Sequence, residues 1–291
     1  MKVSIGKRVF DICNFLIMVC LCSTIVLPFI HIFAVSVSDS TYITNMQVGL
    51  FPKGFYLKAY EELVVNRVFV RTFVNTVIIT IVFSFLSVLI CVMASYAFSR
   101  KFYGKKTINY FFILTMYFNG GLIPTYLIVS RYLSMYNTYA ALIIPGLVSV
   151  FYIIVMRTQI EQIPVSLTEA AIIDGANQFQ VLFKVIIPTV KPTIAAISMF
   201  LILGKWNSWF DVLIYIRDKN KWTLQYYLRE IVFMHELAVE SDALVKVDQT
   251  IVTAQNYKMA AIILVALPVI ALYPFVQKYF VKGMLAGSIK G

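Results

Sequence analysis

The sequence predicts an all-α membrane protein with six transmembrane helices. Three observations lead there. Hydrophobic residues make up 60% of the 291, while charged residues make up 13%. Average soluble domains run at ~45–50% and ~25%. Mean hydropathy is +0.82. The apolar residues gather into six runs, each close to the ~20 residues that a helix needs to cross a bilayer.

The first run, Phe10 to Ser36, follows Lys2, Lys7 and Arg8. It exceeds the ~7–15 apolar residues of a signal peptide, so it reads as a retained span. Residues 37–70 are polar and contain Gly49-Leu50-Phe51-Pro52-Lys53-Gly54-Phe55 and Tyr60, a short scaffold element or an ordinary loop. Span two is Phe73 to Phe98. Span three is Ile108 to Val129, with Gly120, Gly121 and Pro124 in its outer half. Span four is Thr138 to Met156, with Pro145 and Gly146 inside. Span five is Ile194 to Ile216, and span six, Met259 to Phe280, carries Pro268 and Pro274. The chain thus divides into residues 1–72 (span one and an external segment), a core at 73–280, and a tail at 281–291. Prolines and glycines inside spans are tolerated where the broken backbone is buried in protein or lines a cavity. They fit a translocation pathway, and they equally fit plain kinks in a structural bundle.

The net charge is +11. The basic residues flank the apolar runs, so membrane topology accounts for them better than nucleic acid does. Residues 100–106 hold Arg100, Lys101, Lys105 and Lys106, against Arg131 alone in the short loop at 130–137. By the positive-inside rule both termini are cytoplasmic. Cys13, Cys20, Cys22 and Cys91 fall inside apolar runs without metal-ligand or disulfide spacing, and they read as buried, inert thiols. No Walker-type phosphate loop is present, so the chain is not itself a nucleotide-binding engine. Clustered His, Glu and Asp for a membrane-embedded enzyme are likewise missing.

The loop between spans four and five, residues 161–192, is unlike the rest. After Pro164, Ser166-Leu167-Thr168-Glu169 has the pattern of a capping box, with the Ser166 hydroxyl and Glu169 satisfying opposite N–H groups. Ala170, Ala171, Ile172 and Ile173 continue a helix to Asp174-Gly175, where glycine permits a sharp turn. A second apolar run, Val181 to Ile187, stops at Pro188. Two short helices around a glycine elbow result; on spacing alone, an ordinary amphipathic loop helix remains the alternative.

Glu169-Ala170-Ala171, Gly175 after three residues, then Val185, Ile187 and Pro188 resemble the EAA signature of ABC importer permeases. That signature is EAA, three residues, G, nine residues, I, any residue, L, P. Val185 and Ile187 replace its isoleucine and leucine and keep the apolar character. Nearly the whole chain is similar to the second permease subunit of carbohydrate ABC importers of the maltose and alginate type. The matching pieces are the external Phe51-Pro52 segment, Ala94 to Arg100, Lys205 to Asp211 and Gln277 to Gly291. The resemblance implies a type I ABC importer permease fold in a bacterial inner membrane, with the elbow as the cytoplasmic coupling helix. Ser166, Glu169, Ala170, Ala171, Asp174, Gly175 and Pro188 would then engage an ATPase. It implies a second permease, two ATPase subunits that bind ATP and Mg, and an extracytoplasmic solute-binding protein as partners, with no cofactor in this chain and no nucleic acid. The cargo is an oligosaccharide, with an acidic, alginate-like one as the nearest parallel. Lys282, Gly283, Gly287 and Lys290 resemble a tail that reaches extended toward the ATPase dimer.

Trp206-Asn207-Ser208-Trp209-Phe210-Asp211 combines aromatic faces with amides and a carboxylate, a composition suited to sugars. Interfacial anchoring explains the tryptophans as well, but Asp211 needs pairing or water near a bilayer, with Lys205 as a neighbour. Asn75, Tyr117 and Asn119 are further polar candidates, although Asn in a span often joins helices instead. The rival from another class, a self-sufficient secondary transporter or channel, would need matching halves or intramembrane ion ligands, and none is visible. Amino-acid and phosphate importers share the EAA loop and form the rival within the class.

Overall fold

The computed structural model describes residues 5–118, 120–240 and 253–288. Among these the chain is helical, with one isolated antiparallel bridge, Ser38 to Phe55. Three helices are long and apolar enough to cross a membrane, within Gly6–Ser36, Arg67–Ser99 and Ala254–Leu272. Three further crossings are possible only as bent pairs: Lys105–Tyr117 with Leu122–Tyr132, Tyr139–Gly146 with Val150–Glu161 at 47°, and Gln178–Thr189 with Lys191–Trp206 at 81°. The predicted spans three and four are therefore broken where the sequence analysis drew single runs, while the third pair bends before the predicted span five begins and its helix ends at Trp206, short of Ile216. Their Pro and Gly residues sit at or beside most of the breaks.

Two compact units make up the chain, Met1–Val70 with Leu228–Leu267, and Arg71–Tyr227 with Pro268–Gly291. In the first, α1 (Ile5–Ser36) is exposed along almost its whole length, as a helix facing lipid or a partner must be. Cys13, Cys20 and Cys22 are consequently exposed, not buried as expected; only Cys91 is enclosed. Short helices α2 (Ser40–Thr44) and α3 (Lys58–Val65) follow. The 37–57 stretch is a folded element rather than a slack loop. Asp39 Oδ1 accepts from Thr41 N at 2.8 Å and caps α2. Asp39 N bonds the Lys53 carbonyl, Tyr56 N bonds that of Val37, and His31 Nδ1 donates to Gly49. Ser36 Oγ and the Tyr60 hydroxyl lie 2.7 Å apart, and burial pushes the Tyr60 phenol above its ordinary pKa against the opposing effect of that bond.

Asn256, at the start of α15 (Ala254–Ser288), is 1% exposed. Its amide donates to the Val35, Ser36 and Ser38 carbonyls at 3.0–3.2 Å, tying the start of α15 to the end of α1 and the residues just after it. Gly54 has φ +63, and a Cβ there would lie 2.9 Å from Asp39 Cβ and 3.2 Å from the Tyr42 ring. Both strain and clash oppose substitution, so Gly54→Ala should destabilise this element by about 1–3 kcal/mol. Amide exchange across residues 37–57 should accelerate accordingly, and unchanged exchange would contradict the strain.

The second unit is built on α4 (Arg67–Ser99), whose start is capped by Asn66 Oδ1 accepting from Val68 N and Phe69 N. Next come α5 (Lys105–Tyr117), α6 (Leu122–Leu127), α7 (Tyr139–Ile143) and α8 (Val150–Glu161). Beyond them lie α9 (Val165–Ile173), α10 (Gln178–Val181), α11 (Ile187–Thr189), α12 (Lys191–Trp206) and α13 (Phe210–Tyr215), and the chain passes into the first unit along α14 (Leu224–Glu240). One core joins Phe83, Cys91, Val92 and Tyr96 of α4 to Ile153, Met156 and Ile160 of α8, to Val181, Leu182 and Ile186, and to Ile197 and Leu201 of α12. Another gathers Ile79, Leu142, Val212 and Tyr215. Gly146 lets the α7–α8 break press to 3.2 Å from Phe83, measured from where its Cβ would stand. α15 stays helical past Pro268 and Pro274, and on through Gly283 and Gly287 to Ser288. The expected extended backbone at Lys282 and these glycines is thus replaced by helix, and Lys290 lies outside the described residues.

Candidate functional site

The elbow is the more sharply defined of two candidate regions. α9 begins at Val165 with Pro164 as N-cap and has no side-chain cap. The predicted Ser166–Glu169 box does not form. The helix starts two residues early, which puts Ser166 inside the first turn, and the Thr168 hydroxyl bonds back to the Val165 carbonyl. The capping box occurs instead at the second helix, where Asn177 Oδ1 accepts from Gln180 N and Gln180 Oε1 accepts from Asn177 N, at 2.9 and 2.8 Å. The pattern Asn-x-x-Gln at 177–180 carries the same sequence signal as Ser-x-x-Glu upstream.

Between the two helices the turn closes as a Schellman motif. Ala176 N bonds the Ala171 carbonyl and Gly175 N bonds that of Ile172, while Gly175 adopts φ +84. A Cβ at Gly175 would meet nothing within 4 Å, so backbone conformation and not space demands glycine here. Pro188 does not end the second run as expected. It sits inside α11, after a π turn at Leu182–Ile186 in which Ile187 N reaches back to Leu182. The widened turn accommodates a residue without an N–H, and the sharp bend comes at Val190 instead.

One face of the elbow is anchored: Thr168, Val181, Leu182 and Ile186 are buried, and Ala171 and Ala176 pack on the core. The opposite face is apolar and open. Val165, Leu167 and Ile172 are exposed, and Ile173 is 85% exposed. Ser166, Glu169, Ala170, Asp174 and Pro188 are exposed beside them. The approach to the elbow is pinned by Glu161, which pairs with Arg157 at 2.9 Å and with Lys105 of α5 at 3.5 Å. Tyr96 donates to Gln178 Oε1 at 2.7 Å and tethers the elbow to the end of α4.

The second region is the break at Asn207–Trp209, not the end of a continuous span. Lys205 is buried, with its side chain 8% exposed, and pairs with Asp211 Oδ2 at 3.2 Å. Ser208 Oγ donates to the same oxygen at 3.1 Å, and the ammonium lies 4.9 Å from the centre of the Phe83 ring. Trp206 is buried edge-on to Phe73, Asn207 accepts from Gln225 Nε2, and Trp209 is exposed, edge-on to Phe210. Asn75 is fully engaged: its amide donates to the Asn220 and Trp222 carbonyls and its oxygen accepts from the Tyr139 hydroxyl. Tyr117 is 80% exposed, and Asn119 lies outside the described residues.

Thr76, Thr80, Lys205, Ser208 and Thr223 line a cavity of about 10 Å³, where the Thr80 hydroxyl is buried without a hydrogen-bond partner. That is room for about one water, far below the ~300–1,000 Å³ of ligand pockets. The region is therefore a packed polar joint in this conformation, with no preformed sugar site.

A helical membrane chain with broken crossings and a polar elbow between two of them has the features of a transporter permease. No protein-family model matches the sequence. The protein LplC of Bacillus subtilis is 35% identical over 286 residues, covering 98% of this chain and 96% of that protein. The polygalacturonan/rhamnogalacturonan transport system permease protein YtcP of the same organism is 34% identical, covering 98% and 99%. A chain of the crystal structure of a bacterial ABC transporter that imports the acidic polysaccharide alginate superposes with TM-score 0.86 at 30% identity, covering 96% of this chain and 99% of that one. The chain belongs to the permease-subunit family of carbohydrate ABC importers.

Proposed function

We propose that this chain is one of two membrane subunits that form the path of an ATP-driven oligosaccharide importer. It crosses the membrane six times, counting each bent helix pair as one crossing, with both termini and the elbow cytoplasmic. The observation that carries this reading is the open apolar face of α9, Val165, Leu167, Ile172 and Ile173, on a rigid elbow anchored from behind. An unpartnered apolar ridge on a rigid, polar-flanked helix suits a groove on a second protein. A cytoplasmic ATPase subunit is that protein. Glu169 and Asp174 orient the contact, Ala170 allows close approach, and Gly175 sets the angle. Two such ATPases bind ATP and Mg and perform the bond chemistry, and the sequence of the tail, with Lys282, Gly283, Gly287 and Lys290, makes it a second contact for them.

The cargo is an oligosaccharide delivered by an extracytoplasmic binding protein. An acidic one is favoured because polygalacturonan, rhamnogalacturonan and alginate are all named for the similar proteins. Tyr117, Trp209 and Asp211 face the path; Asn75, Trp206 and Asn207, already bonded or buried, position them. The deciding experiment is purification of the tagged chain from native membranes in mild detergent. Co-purification of a second permease and an ATPase, with ATP hydrolysis stimulated by a binding protein loaded with oligogalacturonate, is expected. A chain that arrives alone and transports when reconstituted by itself would be a stand-alone transporter.

A further inference from the structure

We infer that Tyr96, held between Arg100 and Gln178, is the positioning residue through which the elbow drives helix α4. Arg100 Nη2 donates to the Tyr96 hydroxyl at 2.6 Å, and the guanidinium lies 4.7 Å from the centre of the same ring. Guanidinium has no acceptor, so the Tyr96 oxygen must accept from it and give its own proton to Gln178 Oε1, at 2.7 Å. The direction of both bonds is thereby fixed. Arg100 has no carboxylate within ion-pair distance among the described residues, and Tyr96 is buried. The arrangement is therefore a short charged chain ending on the elbow rather than a surface ion pair.

Nearer the start of α4, two adjacent side chains bind the segment after the Asn207 break. Asn75 donates to Asn220 and Trp222, and Thr76 Oγ1 accepts from Leu224 N at 2.7 Å. Between these two attachments Ser95 Oγ donates to the Ile153 carbonyl. A helix of 33 residues is about 50 Å long. One rod is thus bonded at its cytoplasmic end to the elbow and at the other to the joint containing Asp211. A push on the elbow reaches that joint through Tyr96.

This inference rests on the elbow meeting the ATPase. Its test is the ratio of transport to ATP hydrolysis in the purified complex reconstituted with its binding protein. Tyr96→Phe and Gln178→Leu should lower uptake about tenfold while stimulated hydrolysis stays within about twofold of the parent. Gln178→Glu, which still accepts from the hydroxyl, should restore uptake. Proportional loss of both activities would mean that Tyr96 merely stabilises the fold, and full uptake in Tyr96→Phe would mean that the link carries nothing; either overturns the inference. Amide exchange over residues 165–181 provides a reading that needs no ATPase, and faster exchange in Tyr96→Phe is expected. If the parent complex shows no stimulated hydrolysis, the ATPase reading itself fails, and exchange unchanged by Tyr96→Phe would then overturn the link separately.

Discussion

Glu169→Lys combined with Gly175→Val reduces uptake about 100-fold while membrane levels of the protein stay unchanged. The number follows from conformation. Gly175 has φ +84 in the turn that joins α9 to the capping box at Asn177. An ordinary L-residue pays about 1–2 kcal/mol in that region, and a β-branched one more. Nothing within 4 Å obstructs a Cβ, so the cost appears as a turn that reopens and re-aims α9, not as a collapsed core. Lysine at 169 then reverses a charge beside the exposed ridge. Together about 3 kcal/mol is lost from docking, and every 1.4 kcal/mol is tenfold. Gly175→Ala alone should lose about tenfold by the same arithmetic. Uptake of labelled oligogalacturonate, with quantitative immunoblotting of membranes, measures both quantities. Normal uptake by the double variant would remove the elbow from coupling.

Asp211→Ala produces the second large effect, through the partner that it leaves behind. Lys205 is nearly enclosed, and Asp211 is the only carboxylate paired with it among the described residues. Removing one member of a fully buried pair costs about 3–5 kcal/mol. The Asp211 side chain is 41% exposed, and water screens it, so a loss of about 1–3 kcal/mol is expected here. Thermal unfolding of the detergent-solubilised complex should shift down measurably. Replacing both groups, Lys205→Met with Asp211→Leu, should recover most of the shift, because an apolar pair of similar volume carries no orphaned charge. Uptake should remain impaired in the double variant, since the Ser208–Asp211 bond that holds the break is gone as well. Recovery of both stability and uptake would show that the pair serves packing alone.

Much was legible in the sequence because the bilayer leaves few choices. Apolar runs long enough for helices in a bilayer are one-dimensional signals with a direct physical meaning. The Gly175 turn belongs with them, because positive φ is a property of one residue. The local reading was incomplete where a rule fits more than one place. Ser166 fits the capping rule but falls inside α9, because that helix starts at Val165 after Pro164, and the box forms at Asn177 on the next helix. Composition marks Asn75 and Trp206 as polar and aromatic candidates, but it cannot reveal that the fold engages them with Asn220, Trp222 and Phe73.

The sequence by itself determined that this is a helical membrane protein with an elbow between its fourth and fifth apolar runs, because burial in lipid and backbone conformation are written residue by residue. Only the tertiary structure decided which helices bend, that Pro188 is absorbed by a π turn, and that Tyr96 joins Arg100 to Gln178. Those outcomes depend on hydrogen bonds between residues as far as 82 positions apart, and no local pattern in the chain encodes such a partner.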